Sequence, residues 1–360
     1  MTQEEMKRTP LREDAFKESL QTELPTGKKA MEEKEPGTSA RESILRVQDL
    51  VLTIHKGTQD YTAVDGISYE VRRGEILGIV GESGCGKTIT NLAVMNLLAD
   101  EISVTSGSIW YDGEELTAMN EEQRSALAGN TLAMIYQEPL TSLNPLMRIG
   151  SQIEEPLRIH HPELSKEERR KRVLQAMTEV GLQEPEKLVK CYPHQLSGGM
   201  RQRVCIAMAV ICRPKLLIAD EPTTALDVTV QARVLRLLKH INRKYGMSIV
   251  FISHDLAVVR QLCDRVAVMY AGKIVEEGAV ETILHEPAHE YTKGLIRSIP
   301  QISSKGSMLP TIPGRVPAVE MYHTPCPFAD RCGKAQDICR KEPAPRKELG
   351  QGHVAYCHVL

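Results

Sequence analysis

Short aliphatic runs alternate with helix-period segments over residues 44–285. Residues 44–47 and 50–54 are rich in β-branched side chains and predict strands, which residues 67–71 continue before a turn at Arg73-Gly74. Residues 75–80 form a compact apolar run of the fully buried strand kind. A glycine-rich loop over 81–88 follows. Ile89, Leu92, Ala93 and Asn96 then recur at helical spacing, so the order is strand, loop, helix. Residues 132–136, 215–220, 248–253 and 265–270 predict further strands. Helical text runs from 146 to 191, over 201–212, and through Val234, Leu238 and Ile241 to Gly246. Ser165 and Glu168 form a capping-box pattern, and Gly181 can end the helix they start. Strands separated by helices predict an α/β fold whose parallel sheet is covered on both faces.

Residues 1–42 mix charged residues with Pro, Gly and Thr and predict a disordered tail; a short amphipathic helix over 14–20 is the alternative. Beyond 285 the text turns rich in Pro, Gly, Cys and His, which marks a boundary there. No internal repeat suggests a second copy of the domain. The net charge of -2 does not favour non-specific binding to nucleic acid. No apolar run is long enough to cross a bilayer, and the charged N-terminus does not read as a secretory signal. Any membrane link is therefore expected through a partner.

Gly81, Glu82, Ser83, Gly84, Cys85, Gly86, Lys87 and Thr88 match the phosphate-loop pattern G-x-x-x-x-G-K-[ST]. Its glycines let backbone N–H groups curl towards phosphate oxygens, and the following helix turns its positive end to the same anion. Lys87 can reach β- and γ-phosphates, and the Thr88 hydroxyl can hold Mg²⁺. Residues 216–219 run apolar into Asp220 and Glu221. Asp220 suits the neighbourhood of Mg²⁺, and Glu221 suits a general base that polarises attacking water. His254 and Gln137 each close a strand. His254 could contact the terminal phosphate; Gln137 could touch Mg²⁺ or the water. Leu196-Ser197-Gly198-Gly199-Met200 opens the helix over 201–212, where Ser197 is either a plain helix cap or part of an anion-facing turn.

Taken in order, these elements resemble the ATPases of the ABC family: residues 81–88 as Walker A, Gln137 as Q-loop, 196–200 as signature, 216–221 as Walker B, Asp227 as D-loop and His254 as H-loop. The resemblance covers about residues 44–285. The stretches 137–145, 192–202 and 221–231 look like the oligopeptide/dipeptide/nickel importer ATPases, which usually also carry an extension like residues 313–358. It implies a P-loop NTPase cassette with a RecA-like parallel-sheet core, an antiparallel β subdomain, a helical subdomain over about 138–196 and a Cys-rich C-terminal extension over 286–360. The implied activity is ATP hydrolysis that energises peptide uptake, with nickel or metal-chelate uptake as the alternative. A soluble ABC ATPase outside transport is the alternative of another class.

The same resemblance implies that Ser197, Gly198, Gly199 and Asp227 act in trans, on ATP held by a second ATPase subunit, whether a copy or a paralogue. Its further partners would be two permease subunits and, indirectly, an extracellular solute-binding protein, at the cytoplasmic face of the membrane. Tyr61 is the nearest candidate for the aromatic that stacks on adenine, although its offset from the next strand is short. Cys326, Cys332, Cys339 and Cys357 have five, six and seventeen residues between them, without C-x₂-C knuckles. Four thiolates can hold iron–sulfur or zinc; the resemblance favours a [4Fe–4S] cluster. Cys85 is a candidate for alkylation that ATP would block, and His160, His161, His285 and His289 are expected to be solvated.

Overall fold

The computed structural model describes residues 42–224, 226–299, 311–322 and 325–360. The tail expected over 1–42 therefore lies almost wholly outside the described residues.

The strands are β1 (Ser43–Lys56), β2 (Gln59–Arg72), β3 (Ile76–Val80), β4 (Ile102–Tyr111), β5 (Glu114–Glu115), β6 (Leu132–Ile135), β7 (Leu216–Asp220), β8 (Ser248–Ser253), β9 (Arg265–Tyr270), β10 (Lys273–Ala279), β11 (Arg346–Gly350) and β12 (His353–Tyr356). The helices are α1 (Lys87–Met95), α2 (Glu121–Leu127), α3 (Pro139–Ser142), α4 (Ile149–His160), α5 (Lys166–Glu179), α6 (Pro185–Leu188), α7 (Gly198–Val210), α8 (Val228–Tyr245), α9 (Leu256–Leu262), α10 (Val280–His285) and α11 (Glu290–Arg297).

Two sheets form. The larger has the order β11-β12-β10-β9-β3-β8-β7-β6. Its five strands β9, β3, β8, β7 and β6 are mutually parallel. β10, β12 and β11 extend it antiparallel. The smaller sheet, β2-β1-β4-β5, is antiparallel throughout. This is the α/β arrangement expected, with a parallel core and a separate antiparallel sheet.

Alternation along the central strands sorts side chains into two cores. Ile76 and Val80 of β3, Leu217 and Ala219 of β7, and Ile249 and Phe251 of β8 face the helical side with α4, α5, α7 and α8. Leu77 and Ile79, Leu216 and Ile218, and Val250 and Ile252 face the antiparallel sheet and α1. The run Ile76–Val80 is buried at every position, which is why it reads as continuously apolar. α5 begins with the reciprocal Ser165–Glu168 capping box, and Gly181 at φ 74 follows its end. α8 ends at Gly246, φ 63.

The C-terminal extension does not stand apart. β12 pairs with β10 (Glu276↔Ala355), adding residues from beyond position 285 to the main sheet. Its Cys326, Phe328, Ala329 and Cys339 join the helical-side core.

Candidate functional site

The phosphate loop begins where β3 ends. A Cβ at Gly81 would lie 2.1 Å from the Met269 carbonyl oxygen, so only glycine fits there. Gly86 has φ 103 and caps α1, and a Cβ on it would meet Met269 Cε at 2.8 Å and Val64 Cγ2 at 3.0 Å. The loop is thus pressed between β9 and β2, with the start of α1 facing the cradle it encloses.

Lys87 is 5% exposed. Its ammonium donates to the carbonyls of Gly81 (2.8 Å) and Glu82 (3.0 Å) and lies 3.8 Å from Cys85 Sγ. Among the described residues no carboxylate pairs with it. A buried cation beside a helix N-terminus that carries no acidic residue in its first turn is a site short of negative charge. That donor set fits a polyphosphate. Burial pushes the Cys85 thiol up, against the pull of Lys87, and leaves Sγ inside the loop. Both features oppose alkylation of that thiol.

Thr88 Oγ1 donates to Asp220 Oδ1 at 3.4 Å. Asp220 is buried; burial raises its pKa, and the Thr88 hydroxyl works in the opposite direction. A hydroxyl and a carboxylate that face one another beside the lysine are oxygen ligands of the kind Mg²⁺ takes.

Glu221 is the centre of a second group. Its Oε2 accepts from Thr224 Oγ1 (2.8 Å) and Gln137 Nε2 (3.3 Å), and lies 3.1 Å from His254 Nδ1. Residues that follow two other strands, Gln137 after β6 and His254 after β8, therefore meet Thr224 of the Glu221 turn on one carboxylate. Glu221 also has φ 43, a left-handed backbone that non-glycine residues rarely adopt. Its N–H donates to the Ile252 carbonyl at 3.2 Å, and its own carbonyl accepts from Thr224 N at 3.1 Å, which hold that conformation. Thr224 had no sequence signal of its own; the left-handed turn brings it onto Glu221.

Ser197 caps α7, accepting from Met200 N at 3.4 Å, and Asp227 caps α8, accepting from Val230 N at 2.9 Å. Ser197 and Gly198 are exposed, and a Cβ at Gly198 would meet only open space. The plain capping role is real, and the turn still presents a free face to solvent.

Tyr61 lies on β2, where Ala63 and Val64 press against Gly86 and Gly272. Its hydroxyl donates to Gln59 Oε1, and Lys56 Nζ sits 5.7 Å from its ring centroid.

Cys326, Cys339 and Cys357 are buried and Cys332 is half-buried. Burial pushes Cys326 up to about 11, and the other three thiolates add to that rise. The four therefore share one neighbourhood. Among the described residues, however, no three Cys, His, Asp or Glu side chains converge closely enough to hold a metal ion. The thiols as arranged do not form a ligand set for iron–sulfur or zinc.

His289 departs from expectation. It is buried, its pKa is lowered to about 4 by burial, and its Nδ1 accepts from Tyr291 N at 3.1 Å as the cap of α11. Its position at a helix start, which the sequence shows only as a polar spacer, explains the difference.

Among known proteins, the ABC transporter family profile matches residues 64–224, and the oligopeptide/dipeptide transporter C-terminal region matches residues 275–339. The oligopeptide transport ATP-binding protein OppD of Escherichia coli is 44% identical over 316 residues, 88% of this chain and 93% of its own length. The dipeptide transport ATP-binding protein DppD of Bacillus subtilis is 43% identical over 317 residues, 88% of this chain and 94% of its own. A dimeric structure of a bacterial ABC transporter cassette is similar in fold, with TM-score 0.60 and 27% identity, covering 66% of this chain and 98% of that one. The described helices include none long and apolar enough to cross a membrane.

Proposed function

Because this chain belongs to the ATP-binding proteins of ABC transporters, in the oligopeptide/dipeptide branch, we infer that it hydrolyses ATP to energise peptide uptake through an ABC importer. Its partners are permease subunits and a second ATPase cassette. Its working place in this reading is the cytoplasmic face of the membrane, reached through the permeases. Residues 43–285 form the catalytic unit and residues 286–360 the extension.

The observation that carries the reading is the convergence of Gln137, Thr224 and His254 on Glu221, beside a phosphate loop whose buried lysine pairs with no carboxylate among the described residues. Lys87 and the N–H groups at the start of α1 bind and orient the triphosphate. Thr88, Asp220 and Gln137 are the side chains to hold Mg²⁺, whose chemistry is to neutralise phosphate charge. Glu221 aligns a water on the terminal phosphorus and takes its proton as the new P–O bond forms and the bond to ADP breaks. Its three partners fix the carboxylate orientation in advance, which lowers the cost of reorganisation at the moment of attack. His254 contacts the terminal phosphate in this reading, supported by its place beside Glu221.

Ser197, Gly198, Gly199 and Asp227 complete the partner's site. The open face of Ser197-Gly198 and the dimeric state of a cassette of similar fold support this. Tyr61 stacks on adenine in this reading, supported by the contact of its strand with the loop. A [4Fe–4S] cluster, or zinc, on the four C-terminal cysteines draws support from their shared neighbourhood and requires their sulfurs to come closer together; no catalytic step passes through it. Iron and sulfide analysis of anaerobically purified protein tests it, and a colourless, iron-free and zinc-free sample would end it.

The transport reading is tested by reconstituting the chain with its permeases and binding protein in proteoliposomes. Peptide should stimulate ATP hydrolysis and enter the vesicles. ATPase activity that ignores every peptide while responding to a nickel chelate would replace the substrate assignment.

A further inference from the structure

Glu82, the second residue of the phosphate loop, is held from outside that loop at both ends. Its backbone N–H donates to Tyr291 Oη at 2.9 Å. Its carboxylate receives a two-pronged contact from Arg331: Nη1 to Oε2 at 2.7 Å and Nη2 to Oε1 at 3.2 Å. Its carbonyl is one of the two that hold the Lys87 ammonium.

Arg331 belongs to the C-terminal extension, and its side chain is 6% exposed. Its other hydrogen bonds go to the carbonyls of Pro313 (2.8 Å) and Ile312 (3.3 Å) and to Tyr270 Oη (3.2 Å). The guanidinium also lies 5.6 Å from the Tyr270 ring centroid and 5.9 Å from that of Phe328. Such a side chain is fixed on every edge and face. A second contact from the extension, Tyr322 Oη to the Gly84 carbonyl at 3.1 Å, reaches the tip of the same loop.

The loop needs an external hold. Gly84 and Gly86 have φ 80 and 103, so its own backbone is permissive. Glu82 also brings a negative charge to a site that must take a polyanion. Arg331 answers both needs. It neutralises the carboxylate and ties it back, leaving the residue's carbonyl turned to Lys87.

We propose that Arg331 is a positioning residue for nucleotide: the C-terminal extension clasps the phosphate loop through the Arg331–Glu82 pair and sets its affinity for ATP. This rests on the reading of residues 81–88 as the ATP cradle. The extension is then a working part of the nucleotide site, and whatever alters its packing is felt by the loop.

The test uses the full-length chain, a fluorescent ATP analogue and steady-state ATPase rates. Arg331→Met leaves the Glu82 charge unpaired beside the triphosphate and should raise the Kd and the KM for ATP about tenfold or more, with a smaller change in kcat. Glu82→Gln breaks the pair but leaves the Arg331 cation, which attracts rather than repels the triphosphate, so its loss of ATP affinity should be smaller. Arg331→Met combined with Glu82→Gln should bind ATP better than Arg331→Met alone, and Arg331→Lys should recover part of the loss. A lowered thermal midpoint with wild-type Kd and KM would make the pair a mere staple and overturn the proposal. Additive losses in the double variant would overturn it as well. Lys87→Ala separates the two levels: normal ATP binding by that variant refutes the cradle reading itself, whereas loss there with unaffected Arg331 and Glu82 variants refutes only the clasp.

Discussion

Replacing Thr224 by Val should slow hydrolysis while leaving ATP binding intact. The Thr224 hydroxyl donates to Glu221 Oε2 at 2.8 Å, the shortest of the three contacts on that carboxylate. Valine keeps the shape and removes the donor. A hydrogen bond to a charged group contributes about 1.5–3 kcal/mol. If that energy serves to aim the base, the loss appears in the barrier, where each ~1.4 kcal/mol is tenfold, giving a fall in kcat of about 10- to 100-fold. Gln137 and His254 still touch the carboxylate, so the lower part of that range is expected. Thr224→Ser keeps the hydroxyl and should retain most activity. The assay is steady-state phosphate release by the assembled transporter, together with ATP affinity. Turnover of Thr224→Val at the wild-type rate, or an equal loss in Thr224→Ser, would refute the argument that this hydroxyl aims Glu221.

Three further outcomes concern stability and charge. Asp220 has a folded-state pKa raised by burial above its unfolded value, so its ionised form costs stability at pH values above the raised pKa; Asp220→Asn should therefore raise the thermal midpoint at pH 7 without nucleotide while abolishing Mg²⁺-dependent hydrolysis. His289 titrates near 4 in the fold against 6.5 unfolded, with Glu276, Glu290 and Lys293 as its charged neighbours. Its neutral form contributes stability that is complete above pH 6.5 and lost as pH falls towards 4, about 3 kcal/mol in all. Denaturant midpoints of His289→Asn, which keeps a capping acceptor, should depend less on pH over that window. Arg265 pairs with Glu75 at 3.0 Å and Glu277 at 3.2 Å, all largely buried. Arg265→Ala strands two carboxylates and should cost about 3–5 kcal/mol in urea unfolding.

The central strands were legible because burial on both faces makes them uniformly apolar, as in Ile76–Val80 and Ser248–Ser253. The loop and the acidic strand end were legible because phosphate chemistry demands fixed residue types at fixed offsets. β4 was not anticipated. Its Val-Thr-Ser-Gly centre is exposed, so no apolar alternation marks it. β11 and β12 escaped for a related reason: they are short, and β12 relies for its pairing on β10, more than seventy residues earlier, while β11 pairs only with β12. The contacts on Glu82 from Tyr291 and Arg331 depend on tertiary approach, which spacing along the chain does not encode, and that of Thr224 on Glu221 depends on a left-handed turn that the residue types do not announce. His289 was misplaced because a polar residue in a Pro-rich stretch gives no sign of being a buried helix cap.

The most direct measurement pairs nucleotide binding with hydrolysis in the transporter assembled with Glu221→Gln. The glutamine can keep hydrogen bonds to Thr224 and the neighbouring groups but cannot accept the proton of the attacking water. Mg-ATP should bind with wild-type affinity, and turnover should fall by about 100-fold or more. Undiminished turnover would remove Glu221 as the base, and loss of Mg-ATP binding would contradict the division between a phosphate-holding loop and a separate water-aiming carboxylate.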